Sequence, residues 1–161
     1  ITSQMIKQGR RHILYLGQTE GISVEQDRFE GYKLALAQNG IEFNPDLVGR
    51  TFRSIKESHK KVLLTLKNKI RVDGIVCACG GLSAYGAGRA VLDYGLSIPK
   101  DVILSEFGDN DIVSRLGVPF YTVFQNPNKL GKVSVDMLIK MIENQRYNAQ
   151  DTIIDFKILQ R

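Results

Sequence analysis

Asp73-Gly74-Ile75-Val76-Cys77-Ala78-Cys79-Gly80-Gly81-Leu82-Ser83 is the stretch from which the fold is read. A short apolar run, two glycines and then a helical pattern describe a buried strand that turns at once into a helix. Nearly continuous apolar character belongs to a strand of a parallel sheet covered on both faces. The pattern predicts a strand over Gly74 to Cys79 and a helix over Leu82 to Tyr94, stopped by Gly95.

The same grammar extends in both directions. Upstream, His12 to Gly17 reads as a buried strand. Ser23-Val24-Glu25-Gln26 follows as an S-x-x-Q capping box opening a helix, whose inward stripe is Phe29, Tyr32, Ala35 and Leu36 and whose end is Asn39-Gly40. Leu47 to Phe52 is the next strand and Ile55 to Ile70 the next helix. Downstream, Ile98-Pro99-Lys100-Asp101 turns the chain into a strand over Val102 to Phe107, ended by Gly108-Asp109-Asn110-Asp111. Phe120 to Gln125 is a further strand, and Asn126-Pro127 starts a helix that runs to about Asn144 with proline at its first position. That helix is apolar at Leu130, Val133, Val135, Met137, Leu138, Ile139, Met141 and Ile142, a surface wide enough to need more than one neighbour. Ile153 to Leu159 closes as a strand. Repeated βα units of about 30 residues predict a doubly wound α/β domain, a mainly parallel sheet flanked by helices.

Composition agrees with this class. The 161 residues, 43% hydrophobic and 24% charged, exclude disorder, collagen and coiled coil. The sequence has no run of about 18 uncharged apolar residues, and Ile1 to Gly9 carries no signal-like apolar stretch, so a soluble chain with no membrane contact is expected. Cys77 and Cys79 lack the companions of a zinc site and read as two small buried residues in a reducing, cytoplasmic compartment. The net charge is +5, but Arg50 to Arg71 alone holds eight basic residues and one acidic, leaving −2 elsewhere. Ile55, Val62, Leu63, Leu66 and Ile70 recur at helical spacing there, so the lysines read as the solvated face of an amphipathic helix; polyanion contact is the weaker alternative.

In doubly wound folds ligands sit beyond the carboxyl ends of the strands. The segments to search are Gln18 to Arg28, Phe52 to Ser54, Gly80 to Ser83, Gly108 to Asp111 and Gln125 to Asn128. Gly80-Gly81 before a helix has the form of an anion site or of a simple turn. No G-K-[ST] follows, and Gly86-Ala87-Gly88 lies too deep in the helix for a dinucleotide fingerprint. Asp109-Asn110-Asp111 lacks the distal glutamate of a calcium loop; Asp109 suits sugar hydroxyls, and Asp111 suits the cap of a short helix through Leu116. Arg28, in the first turns of its helix, opposes the helix dipole and needs a partner, either Glu25 or an anionic ligand. His12 and His59 lie away from strand ends, so no nucleophilic constellation assembles, and binding is favoured over catalysis. No cofactor or metal is expected.

The ordered motifs resemble the effector-binding core of LacI/GalR-type bacterial transcription repressors. They are Gln8-Gly9-Arg10-Arg11-His12-Ile13 through Leu16-Gly17, Asp27-Arg28-Phe29-Glu30-Gly31-Tyr32 with Ala35-Leu36, and Asp73-Gly74-Ile75-Val76-Cys77. Gly86-Ala87 with Arg89-Ala90, Ile98-Pro99-Lys100-Asp101-Val102, Thr122-Val123-Phe124-Gln125 and Leu130-Gly131 complete the set. Phe107-Gly108-Asp109-Asn110 is similar to the fructose- and sucrose-repressor branch. The resemblance implies a periplasmic-binding-protein-like fold of two α/β subdomains that close on a sugar or sugar-phosphate effector.

By that resemblance, Arg28 falls on the arginine that bonds sugar hydroxyls, and Asp109 on or beside the family aspartate, with Gly108 at the first acidic position. Gln125 falls at the subdomain hinge, Gly80 and Gly81 replace an Asn-Asp pair, and Phe52 lies near the aromatic sugar platform. Residues 1–119 and 152–161 are expected in the carboxyl-terminal subdomain and 120–151 in the amino-terminal one. A DNA-binding head, and with it contact to operator DNA, would precede Ile1. The implied assembly is a homodimer or higher homo-oligomer, and the apolar surface of the helix from Pro127 to Asn144 is expected to drive self-association of this chain. The competing readings are a sugar-binding transport protein and a sugar-phosphate-handling α/β enzyme.

Overall fold

The computed structural model describes residues 1–17, 21–144 and 151–161. Six strands form one sheet: β1 (Ile13–Gly17), β2 (Val48–Arg50), β3 (Gly74–Cys77), β4 (Ile103–Phe107), β5 (Tyr121–Gln125) and β6 (Phe156–Gln160). Their spatial order is β2-β1-β3-β4-β5-β6. The first five are parallel, and β6 returns antiparallel to β5. The helices are α1 (Thr2–Lys7), α2 (Ser23–Gln38), α3 (Ile55–Lys67), α4 (Gly81–Asp93), the single turn α5 (Asp111–Ser114) and α6 (Pro127–Glu143).

Side-chain alternation along the strands divides the core into two layers. Leu14, Leu16, Ile75, Cys77 and Leu104 face α3 and α4, meeting Val62, Leu66, Ala87 and Val91. Ile13, Tyr15, Val76 and Ile103 face the other way, onto Met5 and Ile6 of α1 and Tyr32 and Leu36 of α2. Covering on both faces is what the continuous apolar strands require. The α3 and α4 axes come close because Gly86 has no side chain: a Cβ there would stand 2.2 Å from the Ile55 carbonyl oxygen.

Several boundaries differ from the sequence reading. α1 was not anticipated, and β3 ends at Cys77, two residues early, with Ala78 and Cys79 forming a turn. The capping box does not form. Ile22, extended at φ −133°, is the N-cap, and its carbonyl accepts from the amides of Glu25 and Gln26, which makes Ser23 the first helical residue. Asp111 does not cap its short helix either; Asn110 holds that position without a side-chain cap.

The stretch 120–151, expected in a second subdomain, is divided in the structure. β5 is an interior strand hydrogen-bonded to β4 and β6, and Phe120 lies buried in the α3/α4 core, so both belong to this sheet. α6 is different. Among the described residues none of its side chains is buried, although it carries Leu130, Val135, Leu138, Ile139, Met141 and Ile142 at 45 to 71% exposure. The neighbours its apolar surface calls for are not supplied by the described chain. Residues 145–150 of that stretch lie outside the described residues. Among the described residues, no helix is long and apolar enough to cross a membrane.

Candidate functional site

The carboxyl ends of β1 to β5 lie along one edge of the sheet, and the loops leaving four of them enclose a cavity of about 280 Å³. That volume is near the lower end of the roughly 300 to 1,000 Å³ of small-molecule sites. α2 sends Arg28 into its wall, and the loop after β2 sends Arg53. Cys79, Gly80 and Gly81 come from the turn after β3, Phe107, Gly108 and Asn110 from the end of β4, and Gln125 from the end of β5. Every searched strand end therefore reaches the cavity, except that Gln18, Thr19 and Glu20 lie outside the described residues.

Arg28 is half-buried in that wall. Its Nη1 donates to the Ala78 carbonyl at 2.7 Å and its Nη2 to Gln125 Oε1 at 3.5 Å, while the guanidinium lies 4.4 Å from the centroid of the Phe107 ring. A planar cation that donates at its edge and stacks on its face is fixed in orientation. Glu25, one of the two partners anticipated for Arg28, lies elsewhere. Its carboxylate is 1% exposed, accepts from the Cys79 thiol at 3.3 Å and stands 4.0 Å from Arg53 Nη2. Beneath it, Tyr15 donates to the Glu25 backbone carbonyl at 3.4 Å, and burial together with the Glu25 charge holds its phenol well above the ordinary range. Tyr15 is a neutral donor here.

Gly80 and Gly81 form the floor. Gly80 takes φ +92°, a conformation that disfavours side chains, and serves as an N-cap for α4 with no side-chain acceptor. A Cβ at Gly81 would stand 2.2 Å from Asn110 Cβ, so the loop after β4 rests directly on the start of α4. Asn110 is anchored by Glu106, fully buried, whose Oε1 accepts the Asn110 backbone amide at 2.9 Å and whose Oε2 accepts Asn110 Nδ2 at 3.4 Å.

Two residues singled out by sequence do not line the cavity. Asp109, with φ +59°, donates its amide to Thr122 Oγ1 at 3.0 Å, and its carboxylate receives both Nε and Nη2 of Arg161. The ion pair turns that carboxylate toward β6. Phe52 is 61% exposed, and with Phe52 and Arg53 both left-handed, at φ 41° and 57°, the loop presents Arg53 to the cavity instead of the aromatic ring. Arg53, Phe107 and Asn110 were missed as site residues. The sequence signal for Arg53 was its place in the segment after β2, and Phe107 and Asn110 stand in the Phe107-Gly108-Asp109-Asn110 motif.

Comparison with known proteins agrees with this architecture. A profile of the periplasmic binding protein-like domain family matches residues 2–161. The transcriptional regulator RegA of Clostridium saccharobutylicum is 27% identical over 99% of this chain and 48% of its own length. The ribose operon repressor of Haemophilus influenzae is 28% identical over 96% of this chain and 46% of its length. Escherichia coli GalR is 35% identical over 78% of this chain and 36% of its length. The chain thus spans about half the length of the curated relatives it matches, or less. Among solved structures, a LacI-family regulatory protein from Chloroflexus aggregans superposes with a TM-score of 0.89 at 22% identity, covering 97% of this chain and 56% of that one. A complex of the regulator CelR with cellobiose gives 0.86 at 21% identity, covering 98% and 48%. The chain belongs to the periplasmic binding protein-like domain family.

Proposed function

We propose that this chain is the effector-binding and dimerisation region of a cytoplasmic transcriptional regulator whose small-molecule effector is a sugar or sugar phosphate. The observation that carries the reading is Arg28, oriented by the Ala78 carbonyl, Gln125 and the Phe107 ring at the mouth of a cavity framed by strand ends. Arg28, Gln125, Gly80 and Gly81 are the proposed contacts retained from the sequence, and Arg53 and Asn110 join them. Asp109 and Phe52 have no place in this contact set in the arrangement described. Among the described residues that line the cavity, Arg28, Arg53, Asn110 and Gln125 offer polar binding groups.

α6 is read as a piece of a second subdomain that closes over the cavity. Its apolar residues without cover, and its start directly after Gln125 in the cavity wall, support that reading. Closure on an effector would then bias attached DNA-binding heads through its differential affinity for the two arrangements. The test is fluorescence anisotropy of the full-length protein on its operator DNA while sugars and sugar phosphates are added. A change in operator affinity with one of them is expected. Operator binding indifferent to the whole panel contradicts the reading.

A further inference from the structure

We infer that the ligand of this cavity carries an anionic group, a phosphate ester or a carboxylate, seated between Arg53 and the start of α4. The inference rests on the effector-site reading above and narrows its chemistry. Among the described residues the wall carries side-chain charge of one sign only. Its charged members are Arg28 and Arg53, and no carboxylate is among the described residues that line it. A neutral sugar presents hydroxyls that donate as well as accept, so it needs acceptors from the protein, whereas an oxyanion accepts only. Gln125 Oε1 already takes Arg28.

The nearby carboxylates are occupied behind the wall. Asp109 is held by Arg161, and Glu106 by the two nitrogens of Asn110. Glu25 takes the Cys79 thiol and stands 4.0 Å from Arg53 Nη2, and Arg53 lines the cavity. The described partners of Arg28 are all uncharged, so one cationic charge in the wall has no described counter-charge.

The loop that carries Arg53 is fixed to the start of α4 through a buried hydroxyl cluster. Thr51 Oγ1 lies 3.0 Å from Ser83 Oγ and Ser58 Oγ 2.8 Å from it, all three residues being fully buried. Arg53 is thereby set beside a helix start that has no acidic residue in its first turn and no side-chain cap. α3 and α6 differ, since Ser54 and Asn126 cap them. Two guanidinium groups and free first-turn amides around one cavity form a receptor for an oxyanion.

The experiment is calorimetric titration of the full-length protein with inorganic phosphate, glucose 6-phosphate, gluconate and glucose, and with fructose 6-phosphate and fructose, at two salt concentrations. The charged member of a series is expected to bind at least about tenfold more tightly than its neutral parent, with affinity falling as salt rises. Phosphate against carboxylate identifies the source of the anion. Arg53→Gln should remove most of that preference, and Arg53→Lys, which keeps a cation beside the buried Glu25, should restore part of it. A neutral sugar bound as tightly as its phosphate, with Arg53→Gln without effect, overturns the inference and leaves the effector site standing. Absence of binding by every anion, with a neutral sugar still releasing operator DNA, overturns it as well.

Discussion

α4 and α6 are amphipathic helices that each follow a parallel strand of the same sheet, yet they end in opposite environments. Eight of the thirteen residues of α4 are buried, and among the described residues none of the seventeen of α6 is. The difference lies in side-chain size as well as place. α4 buries Gly81, Ala84, Gly86, Ala87, Gly88 and Ala90, small residues that let α3 and the sheet approach its backbone. α6 presents Leu, Ile and Met, which need a partner with volume of its own. A stripe of small residues is satisfied by close neighbours inside this chain. The stripe of large ones on α6 calls for a surface that the described chain does not provide.

Gly86→Val breaks the comparison at its tightest point. With a Cβ 2.2 Å from the Ile55 carbonyl, α3 has to move as a backbone unit, so a loss of about 3 kcal/mol is expected in urea unfolding. A loss below about 1 kcal/mol would show that the α3/α4 contact is compliant. Ser83→Ala is the intermediate case. It leaves the buried hydroxyls of Thr51 and Ser58 without their shared partner, at an expected cost of about 1 to 2 kcal/mol. Leu138→Ser with Ile142→Ser on α6 should change the unfolding free energy of this chain by no more than about 0.5 kcal/mol. The same pair should weaken self-association in sedimentation, if the apolar surface of α6 is what copies of the chain use. A large stability loss would mean that α6 is packed in solution.

The two halves of the comparison also mark what the sequence could show. Parallel strands covered on both faces leave continuous apolar runs, so β1, β3, β4 and β5 were legible within two residues of their ends, and the Gly80-Gly81 turn named one wall of the cavity. α1 was not legible, because a six-residue helix without a side-chain cap is held by Met5 and Ile6 packing on a distant strand face. The capping box failed because Ser23 lies inside α2, whose first turn instead buries Glu25 against Cys79. At the site, sequence order located the loops but not the side chains they present. Asp109 is turned aside by Arg161, 52 residues away, and the left-handed pair Phe52 and Arg53 exchanges an aromatic for a cation. Long-range ion pairs and positive φ at non-glycine residues leave no periodic trace.

The central claim, that the cavity around Arg28 is where an effector acts, is tested most directly by Arg28→Ala in the full-length protein. The readout is effector affinity measured by calorimetry beside operator affinity without effector. Removing a cation with three described contacts in the wall should weaken effector binding by about 10- to 100-fold and leave effector-free operator binding nearly intact. An unchanged effector titration would remove Arg28 from the site and contradict the account.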